Sequence, residues 1–121
     1  MKGVKIYREN YQDLPERFAR KIESDLQYLA EAGIPGLKKV YLFGSCARGE
    51  VRSSSDVDLL VYTEQRLADR KLAAAIRWTL DEPVQGVRTD VVYKSEETSS
   101  GYSVFERAAR RDRKLIMEVG E

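Results

Sequence analysis

The sequence predicts an α/β fold. Two observations carry this expectation. Short apolar runs bounded by Gly, Pro and polar clusters read as buried strands, and longer stretches with apolar residues recurring at i+3 and i+4 read as helices packed on a sheet. The two kinds alternate along 121 residues, a length suited to a single domain spanning 1–121. A domain of this size buries roughly 65% of its unfolded surface, enough for one core.

Residues 1–12 are polar with Val4, Ile6, Tyr7 and Tyr11 interleaved. A short edge strand and an irregular N-terminal arm both fit. From Leu14 the pattern is helical: Leu14, Phe18, Ile22, Leu26 and Leu29 form one stripe, with Arg17, Arg20, Ser24, Gln27 and Glu31 opposite. Asp13 is a candidate N-cap with Pro15 in the first turn, and Gly33 and Pro35 stop the helix. Val40 to Phe43 has no polar face and reads as a strand buried on both sides. Gly44-Ser45 makes a turn, a short helix is expected from Cys46 to about Val51, and Arg52 to Ser55 forms a loop that delivers Asp56.

Val57 to Thr63 reads as the second strand, with Val57, Leu59 and Val61 on one side and Asp58, Leu60 and Tyr62 on the other. Residues 66–80 read as a helix with Ala68, Leu72, Ala75, Ile76 and Thr79 inward. Trp78 beside that stripe is expected to flank the core, the alternative being a partly exposed anchor for a partner. Pro83 and Gly86 mark a turn before a third strand, Val87 to Lys94. A polar loop to Gly101 precedes an expected helix, Ser103 to Asp112, whose basic face of Arg107, Arg110, Arg111 and Lys114 reads as solvated rather than as a surface for an acidic partner or RNA. Leu115 to Val119 fits either a last strand or a tail.

Composition excludes several classes of chemistry. Charged residues make up 34% of the chain, yet the net charge is +1, so nothing global points to nucleic acid or membrane. No apolar run approaches the ~18 residues of a membrane span, and the first residues lack the apolar core of a signal peptide. With 1 cysteine no intrachain disulfide forms, as suits a cytoplasmic protein. With no histidine, Ser-His-Asp and Cys-His catalysis and His-ligated zinc are ruled out from this chain alone. Carboxylates, hydroxyls, Arg and Lys remain, and carboxylates with Mg2+ suffice for phosphoryl or nucleotidyl transfer.

The stretch Lys39 to Tyr62 holds the strongest candidate site. Asp56 and Asp58 share one face at the mouth of an apolar strand, about 6–7 Å apart. Carboxylates that close repel unless a cation or proton lies between them, and a divalent metal is the natural cation. Upstream, Gly44-Ser45 offers backbone N–H groups to an anion. A further acid, Asp90, sits in the third strand, where burial is costly without a partner. A lone D-x-D is common; the joint pattern points to a metal-nucleotide site.

Gly44-Ser45, ten residues, then Asp56-Val57-Asp58, within GSCARGEVRSSSDVDLLV, resembles the signature of the DNA polymerase β superfamily of nucleotidyltransferases. The fuller string is similar to that of minimal nucleotidyltransferases (MNT). The resemblance runs from about Val40 to Met117, with 39–94 as the catalytic core. It implies a nucleotidyltransferase fold, a small mixed β-sheet flanked by helices. It implies catalytic and metal-binding roles for Asp56, Asp58 and Asp90, which hold two Mg2+ ions, and ATP as substrate. It further implies nucleotide-binding roles for Gly44 and Ser45; Arg48 could equally touch a phosphate or pair with a carboxylate. Cys46 reads as incidental.

Small proteins of this outline often pair with a helical HEPN-type protein as the antitoxin of a toxin–antitoxin module, and some transfer AMP onto a tyrosine of the toxin. The resemblance therefore implies an adenylyltransferase acting on a helical partner. Two alternatives stay open: a non-catalytic module that neutralises its partner by contact, and a small-molecule nucleotidyltransferase that needs a second subunit.

Overall fold

The structure is a computed structural model that describes residues 3–95 and 113–120. Its elements are β1 (Gly3–Ile6), a 3-10 turn at Arg8–Asn10, α1 (Glu16–Glu31), β2 (Leu37–Phe43), α2 (Gly44–Arg48), β3 (Val57–Thr63), α3 (Arg70–Asp81), β4 (Thr89–Ser95) and β5 (Lys114–Gly120). The strands form one 5-stranded sheet in the order β1-β5-β2-β3-β4. β3 and β4 run parallel; the other neighbouring pairs are antiparallel. This is the small mixed sheet with helices that the sequence leads one to expect.

β2 lies inside the sheet with both edges paired, which is why its apolar run carries no polar face. Val40 pairs with Val61 and Leu42 with Leu59, so these four share one side of the sheet. α1 adds Phe18, Ile22, Leu26 and Leu29 to the core on that side, and α3 adds Ile76 and Leu80. Each such side chain contributes about 1.5–3 kcal/mol on burial. The opposite side carries Tyr41, Phe43, Asp58 and Leu60. Parallel strands need a long crossover, and α3 supplies it between β3 and β4.

Several expectations need correction. α1 begins at Glu16 with Pro15 in the N-cap position and no capping side chain, so Asp13 does not cap it. A helix capped by Asp13 would make Leu14 helical, and the residue before a proline disfavours that conformation. α2 spans Gly44–Arg48 rather than running to Val51, because Gly49 turns left-handed at φ 72 and closes it. α3 begins at Arg70, since the Asp69 side chain accepts a hydrogen bond from Leu72 N at 3.0 Å. Its inward row is Leu72, Ala73, Ile76 and Leu80; Ala68, Ala75 and Thr79 are exposed. Trp78 does not flank the core. It is 80% exposed.

The ends of the chain resolve two open readings. Gly3–Ile6 is an edge strand, paired with β5, and Leu115 to Val119 lies in β5, between β1 and β2. The turn marked by Pro83 and Gly86 is a tight one, with Gln85 at φ 52 and Gly86 at φ 79 between the bridged residues Val84 and Val87. The expected helix from Ser103 to Asp112, with Arg107, Arg110 and Arg111, lies outside the described residues. Lys114 is exposed at the start of β5.

Candidate active site

Asp58 is the second residue of β3, and the parallel register sets it directly across from Asp90 of β4. Directly paired residues on adjacent strands point to the same side, with the strands about 4.8 Å apart. Asp56 precedes β3 by one residue, two before Asp58, and is exposed. Asp58 is half-buried and Asp90 exposed. The backbone thus brings the three predicted acids to the starting ends of two neighbouring strands, on the face away from α1 and α3.

Gly44 adjoins this face. It adopts φ +70, and a Cβ placed there would collide with Asp58 Oδ2 and stand 3.2 Å from its Cγ. The positive φ favours glycine, and any side chain there would push the Asp58 carboxylate aside. Ser45 is partly buried in α2, and its carbonyl accepts from Glu50 N at 2.9 Å. Arg48 pairs with Glu50, Nε to Oε2 at 3.2 Å, and its charge also reaches Asp58.

Burial pushes the Asp58 carboxyl up to about 6; the Asp90 and Asp56 charges add to the rise, and Arg48 opposes it. Negative charge is therefore concentrated around one half-buried carboxylate, as a cation-binding site requires.

The family model of the nucleotidyltransferase domain matches residues 19–116 of this sequence. The chain belongs to the nucleotidyltransferase domain family. A solved structure of a candidate minimal nucleotidyltransferase is 32% identical, with 79% of this chain and 88% of that one covered and a TM-score of 0.50. A candidate nucleotidyltransferase from Sulfolobus solfataricus is similar in fold, at 21% identity over 82% of this chain and 78% of that one, TM-score 0.56. A chain of a toxin–antitoxin structure with AMP-PNP aligns over 77% of this chain and 70% of that one, at 26% identity and TM-score 0.49. No curated protein matches the sequence.

The donor set of this nucleotidyltransferase domain suits Mg2+: three carboxylates, all hard oxygen ligands, next to a glycine cradle. Among the described residues the side chains themselves are not closed into a three-donor cluster able to hold an ion. What the sheet sets is the backbone: Asp58 opposite Asp90, Asp56 two residues away. Rotation about side-chain torsions between staggered wells is what would bring the oxygens together.

Two features of the domain escaped the sequence reading. Cys46 is buried, and its Sγ–H donates to the Asp56 carbonyl at 3.6 Å, tying α2 to the residue that leads into β3. Burial, then the Asp58 and Asp56 charges, raise its thiol to about 11, so it is a weak nucleophile and a structural tie. Arg17, assigned to the solvent side of α1, donates from Nη2 to the Ser53 carbonyl at 2.8 Å, in the loop before Asp56. Neither contact leaves a signal in local periodicity.

Proposed function

We propose that this chain is a Mg2+-dependent adenylyltransferase, transferring AMP from ATP to a hydroxyl of a helical partner protein, as an MNT-type antitoxin acting on its HEPN-type toxin. One observation supports this reading above the rest: Asp58 and Asp90 stand in register on parallel strands with Asp56 two residues away.

In this reading Asp56 and Asp58 would hold Mg2+ beside the triphosphate, and Asp90 would complete a second metal site. Bound Mg2+ supplies the positive charge that neutralises the phosphates and eases deprotonation of the acceptor hydroxyl. Asp90, exposed at the edge of the sheet, takes the hydroxyl proton. The acceptor oxygen bonds to the α-phosphorus, the bond to the β-phosphate oxygen breaks, and pyrophosphate leaves with the electron pair. Gly44 leaves space for the Asp58 carboxylate, Ser45 offers its hydroxyl to a phosphate oxygen, and Arg48 adds positive charge. The protein's part is position and charge, as in phosphoryl transfer generally.

The test uses ATP labelled at the α-phosphate, Mg2+ and the product of the adjacent open reading frame. Label on the partner, lost with Asp58→Asn, supports the reading. Tight complex formation with no label transfer supports the second reading, a module that neutralises by contact, which the exposed Trp78 also favours. Pyrophosphate release with an aminoglycoside, and none with protein, supports a small-molecule acceptor.

A further inference from the structure

α1 carries a buried polar row on its core side. Lys21 is 1% exposed and Asp25 2%, one helical turn apart. Lys21 Nζ donates to Asp25 Oδ1 at 2.6 Å and to the Leu80 carbonyl at 2.8 Å. That carbonyl lies in the last turn of α3, where helix carbonyls lack intrahelical partners and a cation is favoured. The second Asp25 oxygen, Oδ2, accepts from the hydroxyl of Thr89, itself 3% exposed. Three buried polar groups thus satisfy one another and join α1 to the end of α3 and the start of β4.

Thr89 is the residue immediately before Asp90. Alternation along a strand sends Thr89 inward to Asp25 and Asp90 outward to the side of Asp58. Among the described residues β4 ends the sheet order and pairs with β3, so the ladder to β3 and the groups β4 packs against set its register. A slip of one residue would reverse its faces and aim the Asp90 carboxylate at Asp25. Repulsion between two buried acids opposes that slip, and the Thr89 hydroxyl rewards the observed register.

We propose that Lys21, Asp25 and Thr89 form a positioning network that holds Asp90 in register with Asp58, so that α1, which carries none of the site's residues, sets the geometry of the cation site. The proposal rests on the reading of Asp56, Asp58 and Asp90 as metal ligands. These three core groups touch neither nucleotide nor acceptor; they act through the strand. Loss of a purely structural network would lower melting temperature and leave ion affinity untouched.

The test is Mn2+ binding followed by electron paramagnetic resonance, with a non-hydrolysable ATP analogue present and well below the melting temperature. The proteins are wild type, Thr89→Val, Thr89→Ser, Asp90→Asn and the apolar triple variant Lys21→Met/Asp25→Leu/Thr89→Val, which keeps the core filled if Thr89→Val alone fails to fold. Thr89→Val and the triple variant are expected to bind Mn2+ about tenfold more weakly, in line with loss of groups that orient ligands, and Thr89→Ser to bind as wild type does. Wild-type affinity in Thr89→Val and the triple variant, with Asp90→Asn weakened, overturns the network's role and leaves the metal reading standing. Failure of wild type to bind Mn2+, or full affinity in Asp90→Asn, removes the metal reading and the network proposal with it.

Discussion

Gly44 and Asp58 are packed so closely that a single added carbon on Gly44 would strike the Asp58 carboxylate. The glycine that follows β2 and opens α2 thereby leaves space for an acid of β3, a task distinct from admitting a phosphate. Gly44→Ala would combine a left-handed backbone unfavourable to alanine, costing about 1–2 kcal/mol, with displacement of Asp58. A loss of about 2 kcal/mol or more in urea denaturation, together with weakened Mg2+ binding, is the expected result. Wild-type ion binding in this variant would mean that the contact is unimportant to the site.

Asp58 ties stability to pH. Its folded-state value of about 6 lies above the ordinary 3.8, so the folded protein holds this proton more tightly than the unfolded chain. The contribution is complete below about pH 4, shrinks as pH rises to about 6, and is gone above that. Asp58→Asn should remove this slope and stabilise the ion-free protein at pH 8, by about 1 kcal/mol after discounting for partial solvent exposure. Circular dichroism melts of both proteins from pH 4 to 8 would show it; an unfolded variant would contradict it. Wild-type affinity for Mg2+ should rise through the same interval, because the ligand must be ionised.

Lys21 and Asp25 form a buried pair whose halves need each other. Lys21→Met leaves Asp25 and the Leu80 carbonyl without the ammonium and should cost about 3–5 kcal/mol. The triple apolar variant should recover most of that loss, since a well-packed replacement removes the burial penalty of all three polar groups. Denaturant titration of the two variants distinguishes these outcomes.

Cys46 should resist thiol reagents. It is buried and its thiol is pushed up to about 11, so at pH 8 little thiolate exists in the folded protein. Labelling with a disulfide reagent at pH 8 should be slow, and stoichiometric once urea unfolds the chain. Rapid labelling of the folded protein would show that α2 opens readily.

Trp78 offers the opposite case. At 80% exposure, Trp78→Ala should change stability by no more than about 0.5 kcal/mol. A larger loss in thermal melts would return the side chain to a packing role.

The amino-acid order alone was enough to place β2, β3, β4 and the core face of α1, because buried strands and amphipathic helices leave periods of two and 3.6 in the residues that make them. It also supplied the residue types and spacing of the candidate site, and their resemblance to the nucleotidyltransferases, to whose domain family the chain belongs. Where local signals competed, it misled. Ala75 and Thr79 were expected in the inward row that Leu80 fills, and Asp13 was expected to cap α1, which instead begins after Pro15 with no capping side chain.

Only the tertiary structure decided which acid faces which, and what surrounds them. Asp58 meets Asp90 because β3 and β4 pair in one register, Gly44 meets Asp58 because β2 and β3 are neighbours, and Lys21 and Asp25 are inside because the end of α3 and Thr89 complete them. Pairing between distant segments depends on the whole sheet, and a charge can be buried only where another part of the chain supplies its partner. Neither condition is written into any short window of sequence.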